Sequence, residues 1–112
     1  MKLVTAVIKP QMLEPVKDGL KGAGVQGLTV TEVKGFGRQG GHTETYRGAE
    51  YTVDLIPKLK VEVVCSADDA NGIMDIIREA AHTGKIGDGK VWMVDVDHLM
   101  RVRTGEMGDE AV

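Results

Sequence analysis

Three observations predict an α+β domain with a four-stranded antiparallel sheet and two helices on one of its faces. Short β-branched runs and two amphipathic segments follow one another in the order β-α-β-β-α-β. The chain of 112 residues is long enough to bury one core and too short for two. The order also divides into two βαβ halves, the ferredoxin-like arrangement.

Each element has its own signal. Leu3 to Ile8 is a β-branched-rich run closed by Pro10, which predicts a strand over Met1 to Lys9. Leu13, Val16, Leu20 and Ala23 then recur at helical spacing over Glu14, Lys17, Asp18 and Lys21, with Gly22 and Gly24 at the exit. Leu28 to Lys34 is strand-like again. Leu59, Val61, Val63 and Cys65 alternate with Lys60, Glu62 and Val64, the pattern of a half-buried strand. Ser66 and Asp69 form an S-x-x-D capping signature, and Ile73, Met74, Ile76, Ile77, Ala80 and Ala81 continue it as an amphipathic helix. Val91 to Val96 is the last strand.

Helices on one face leave the other face bare. The first strand carries Leu3 and Val7 on one side against Val4, Ala6 and Ile8 on the other, and the last sets Val91 and Met93 against Trp92, Val94 and Val96. A monomer would expose a large apolar sheet face, so a homo-oligomer is expected. The alternative is a face covered by the tail after Leu99, which is short and charged.

Composition narrows the function. Lys and Arg number 14 against 17 Asp and Glu, a net charge of -3 with no basic block, which argues against a nucleic-acid binder. No apolar leader or spanning run is seen and one cysteine cannot form an internal disulfide, so a cytoplasmic protein is expected. Glycine is in excess, 15 residues, or about 13% against a usual level of about 7%. Gly35 to Pro57 shows no helical or alternating pattern and holds Phe36, Tyr46 and Tyr51, three of the four aromatics. A connection of that length predicts a long functional loop.

Two glycine-rich segments imitate nucleotide motifs. Gly35-Phe-Gly-Arg-Gln-Gly40 fits G-x-G-x-x-G, but no helix begins there and no doubly wound sheet fits this length. Gly84-Lys-Ile-Gly-Asp-Gly-Lys90 fits G-x-x-x-x-G-K, but Val91 stands where a Ser or Thr belongs and the segment runs from helix to strand. Both still offer bare backbone N–H groups to an anion, and Lys85 and Lys90 add charge. An ordinary helix-to-strand loop is about as good a reading of the second segment by itself. In extended chain, Arg101 and Arg103 would share one side as paired guanidinium forks. Taken together these segments predict a site for a phosphorylated small molecule. Catalytic signals are thin: His42, His82 and His98 lack metal-ligand spacing, and Cys65 reads as a small buried hydrophobe.

Thr29-Val-Thr-Glu-Val-Lys-Gly-Phe-Gly-Arg-Gln39, His42-Thr-Glu44, Tyr46-Arg-Gly-Ala-Glu-Tyr51, Thr83 to Lys90 and Arg101-Val-Arg-Thr-Gly-Glu106 together resemble the PII nitrogen-regulatory signal-transduction proteins, in order and over the whole chain. The resemblance implies a single domain over 1–112 in a ferredoxin-like homotrimer, with ATP or ADP between subunits. It makes 35–57 an effector loop, 83–90 a phosphate-binding loop and 101–112 a C-terminal arm. It implies nucleotide-binding roles for Thr29, Gly35, Gly37, Arg38, Gln39, Val64, Gly87, Asp88, Gly89 and Lys90, with Arg101 and Arg103 reaching in from a neighbour. For 2-oxoglutarate it implies Gly37, Gln39, Gly41, Lys58 and Gly87, with Gln39 as the side-chain ligand of Mg²⁺ beside the phosphates and the keto acid.

By the same resemblance, Tyr51 is the tyrosine that a nucleotidyltransferase modifies and Arg47 the residue that enters an ammonium transporter. That contact would bring a cytoplasmic protein reversibly to the membrane. Two positions depart from the family pattern. Gly40 stands where a lysine is common, and Ala49 replaces a serine that cyanobacterial relatives phosphorylate. The implied function is that of a non-catalytic sensor. The rivals are a small nucleotide-hydrolysing enzyme, for which no general base is evident, and a metal-binding trimer, against which the histidine spacing counts.

Overall fold

The computed structural model of the chain describes residues 1–37, 42–46, 49–53 and 55–112. Its elements are β1 (Lys2–Ile8), α1 (Leu13–Gly22), β2 (Thr29–Gly35), β3 (His42–Tyr46), β4 (Ala49–Val53), β5 (Ile56–Cys65), α2 (Ala67–Ala81) and β6 (Lys90–Asp95). The main sheet is antiparallel in the order β2-β5-β1-β6. Each βαβ unit therefore skips one strand, as the ferredoxin-like arrangement requires.

Strand alternation sorts the residues of this sheet into two faces. Val4 lies opposite Val63 and Met93, and Ala6 opposite Val61 and Val91, so these side chains share the helix-covered face. There Val4, Ala6, Ile8, Val61, Val63 and Cys65 are buried with Val16 and Leu20 of α1 and Ala70, Ile73, Ile77 and Ala81 of α2. Cys65 is thus in the core, and burial pushes its thiol pKa up. The two helices pack closely at Gly19, where a Cβ would stand 3.0 Å from Ile76 Cγ2. The Ser66 hydroxyl caps α2, accepting the Asp69 N–H at 3.3 Å.

The opposite face carries Leu3, Val64 and Val94 in one row, Thr5, Glu62 and Trp92 in the next, and Val7, Lys60 and Lys90 beyond. Trp92 is 41% and Val94 49% exposed. The tail reaches one end of this face, where Leu99, Ala111 and Val112 border a cavity with Leu3, Glu62 and Val64. It leaves Trp92 and Val94 open.

The long connection differs from expectation. β3 and β4 pair antiparallel as a second, two-stranded sheet, with His42 opposite Val53 and Tyr46 opposite Ala49. Thr43, Thr45, Tyr46, Tyr51, Thr52 and Val53 are good strand formers, but their runs are too polar to show apolar alternation. The two residues between these strands lie outside the described residues. β5 also begins earlier than the alternation suggested, at Ile56 instead of Leu59.

Candidate ligand-binding site

The 83–90 segment is organised around one carboxylate. Asp88 Oδ2 accepts the backbone N–H groups of Thr83 and Gly84, each at 2.9 Å, while Oδ1 accepts the Thr83 hydroxyl. The buried Lys9 ammonium lies 3.1 Å from Asp88 Oδ1 and donates to Thr83 Oγ1 at 3.1 Å. These bonds, the Thr83 hydroxyl foremost, hold the Asp88 pKa well below the usual carboxylate range. Gly84, Gly87 and Gly89 all have positive φ. At Gly89 glycine is compulsory, because a Cβ would fall 1.7 Å from the Val7 carbonyl oxygen.

This loop forms one wall of a cavity of about 620 Å³, within the range of small-molecule sites. Gly35, Phe36 and Gly37 form another wall, and Val7, Lys58 and Trp92 contribute from the sheet. Lys58 Nζ donates to the Gly87 carbonyl at 2.8 Å. Desolvation, and then the nearby Lys9 charge, lower the Lys58 pKa against the opposing pull of Asp88. Lys85 and Lys90 add two further cations. Asp88 is the only acid among the described lining residues, and its oxygens are engaged within the loop. The cavity is therefore suited to an anion, with Lys58, Lys85 and Lys90 among its lining residues.

Of the residues expected to bind ligand, Gly35, Gly37, Lys58, Gly87, Asp88, Gly89 and Lys90 all meet at this cavity. Thr29 and Val64 border a second one, of about 450 Å³, with Gly27, Leu28 and the tail residues Leu99, Ala111 and Val112. Arg38, Gln39, Gly41 and Arg47 lie outside the described residues, and Tyr51 is in β4 opposite Glu44.

The chain is not extended through the arginine pair. Residues 102–104 form a turn, closed by a Gly105 N–H to Arg101 carbonyl bond of 2.8 Å, so Arg101 and Arg103 do not stand side by side on extended chain. Val102 alone does not make a strand, and Gly105, at positive φ, favours reversal. Arg101 instead pairs with Glu106 at 3.0 Å and donates to the Val112 carbonyl at 3.2 Å, fastening the arm to itself.

The family model of nitrogen regulatory protein P-II matches residues 1–106. The chain belongs to this family. It is 56% identical to a nitrogen regulatory protein P-II of Mesorhizobium japonicum and 55% identical to one of Rhizobium meliloti, in each case over the full length of both chains. It is 54% identical, again over both full lengths, to nitrogen regulatory protein GlnK of Escherichia coli. These P-II relatives are named as regulators, and the chain is a nitrogen regulatory protein, not an enzyme.

One part of this P-II site has no signal in the sequence. Lys9 reads as the end of a strand, since a lysine beside Pro10 carries no sign that it will be buried. Thr83 falls in the expected 83–90 loop, and the structure adds its bonds to Asp88 and Lys9. Only the fold brings the end of β1 beneath the start of the glycine loop.

Proposed function

We propose that the chain is a sensor of nitrogen and energy status that binds ATP or ADP and 2-oxoglutarate and acts on protein targets through its 35–57 segment. The observation that carries this reading is the meeting of Gly35 and Gly37, Lys58 and the Gly87-to-Lys90 turn around one cationic cavity. Backbone amides with ammonium groups at their edges suit a phosphate chain, and the second cavity, with Thr29, Val64 and apolar tail residues, suits its base. Lys58, already facing the glycine loop, is the group to receive a distal carboxylate.

Mg²⁺ would enter this cavity with its anionic ligands. The described lining holds one engaged carboxylate, so a cation there would take most ligands from phosphate and keto-acid oxygens, with Gln39 as the side chain contributed by the protein. Mg²⁺ commonly binds in that way, through few protein groups and substrate phosphates. When bound it would supply positive charge to offset that of the phosphates and the keto acid. ADP, lacking a γ-phosphate, should not complete the site.

The open sheet face around Trp92 and Val94 supports a homotrimer in which Arg101 and Arg103 of one subunit serve the nucleotide of the next. Tyr51 would then carry a nucleotidyl group and Arg47 would engage an ammonium transporter from the cytoplasm. No helix among the described residues is long and apolar enough to cross a membrane.

Calorimetry tests the reading. 2-Oxoglutarate should bind in the presence of Mg-ATP and not with ADP or with neither nucleotide. Equal binding in all three conditions would overturn the Mg-ATP bridge. Gln39→Ala should abolish the metabolite signal, and Tyr51→Phe should bind ligands normally but resist nucleotidylation.

A further inference from the structure

We infer that Lys9 is a positioning residue of the phosphate-binding loop, which neutralises Asp88 from behind so that this carboxylate can order the loop without repelling the phosphate chain. The inference rests on the nucleotide reading above.

Among the described residues Lys9 is the only buried charged side chain, 8% exposed. Burying an ammonium is costly unless it is paired and hydrogen-bonded. Its two acceptors, Asp88 Oδ1 and Thr83 Oγ1, both belong to the loop. Lys9 does not line the 620 Å³ cavity, whereas Asp88 does. Its hydrogen-bonded contacts thus run through the loop, although its charge is also felt by Lys58.

Asp88 meets two opposed demands. Its oxygens gather Thr83 and Gly84 and so shape the start of the loop. Yet it adds a negative charge where an anion must approach, and like charges disfavour one another. Lys9 resolves the conflict: the pair is neutral, leaving Lys58, Lys85 and Lys90 to set the sign of the cavity. The end of β1 fixes the loop at a second point too, where the Val7 carbonyl underlies Gly89.

A positioning role played through charge predicts a dependence on ligand charge that mere loosening would not produce. Lys9→Met should weaken ATP binding by about tenfold, the scale seen when a group that orients a binding residue is lost. The loss should be smaller for ADP, and for AMP binding should stay within about twofold, since repulsion scales with charge. Adding Asp88→Asn to Lys9→Met should recover part of the ATP affinity, because the uncompensated carboxylate is then gone. Thr83→Val, which removes a bond without changing charge, should affect all three nucleotides alike.

Titration of the intact protein with ATP, ADP and AMP, beside thermal melts of each variant, reads these outcomes. Lys9→Gln carries the same ladder if Lys9→Met does not fold. Unchanged ATP binding, an equal loss for all three nucleotides, or a double variant no better than the single one would overturn the inference. Wild-type protein that binds no nucleotide would instead overturn the reading on which it stands.

Discussion

The ammonium of Lys58 donates to the Gly87 carbonyl at 2.8 Å, tying β5 to the glycine loop. Desolvation lowers the Lys58 pKa, so an anionic ligand that reaches it offsets a cost already present in the folded chain. Lys58→Met, which keeps the stem and removes the charge, should abolish 2-oxoglutarate binding in Mg-ATP while changing ATP affinity by less than about threefold, the effect of a rim charge. Calorimetry with each ligand in turn decides it. Undiminished metabolite binding would remove Lys58 from that role.

The strand and helix order was legible because core packing imposes periodicity: Val4, Ala6, Ile8, Val61, Val63 and Cys65 are buried, and each stands at an alternating position. β3 and β4 were not legible, since Thr43, Thr45 and Thr52 favour strands without marking an apolar face. The glycine loop was visible as a segment, and Gly89 shows why a glycine was needed there. What could not be read was the partner beneath it, because Lys9 and Asp88 are 79 positions apart and neither residue type predicts burial. The arm departs from its spacing for a similar reason: Arg101 stands beside Arg103 only if the chain is extended, and local turn chemistry decides that first.

Asp88 should also govern acid stability. Its folded pKa is depressed, chiefly by the Thr83 hydroxyl and N–H and further by Lys9 and the Gly84 N–H, from the usual 3.8. A depressed carboxylate contributes stability above its unfolded pKa, and that contribution is lost as pH falls through about 4 towards the folded value. Asp88→Asn should therefore melt below wild type at pH 7, with the gap closing towards pH 2. Melts followed by circular dichroism across this range check it, and a gap independent of pH would contradict the assignment.

Gly89→Ala and Gly84→Ala separate steric need from backbone preference. Both positions have positive φ, but a Cβ at Gly84 would meet nothing nearer than His82 Nε2 at 3.9 Å, whereas at Gly89 it would strike the Val7 carbonyl. Gly84→Ala should cost about 1 kcal/mol, the left-handed penalty alone. Gly89→Ala should cost more than about 2 kcal/mol and displace the loop from β1, because backbone atoms cannot yield as a side chain does. Chemical denaturation of both variants makes the comparison, and equal losses would show that the Val7 contact is not limiting.

The open sheet face gives the last prediction. Val94 is 49% exposed on β6, level with Leu3 and Val64 and adjacent to the row of Trp92. Val94→Glu places a charge in the centre of any surface built on these residues, where an unpaired buried charge is strongly disfavoured. It sits outside the helix-covered core, so the protomer should still fold and melt cooperatively. Sedimentation equilibrium should then report a particle near 12.1 kDa for the variant, against three times that mass for the wild type. A wild type that sediments as a monomer would leave the apolar face without an occupant, whereas a trimeric Val94→Glu would move the interface away from β6.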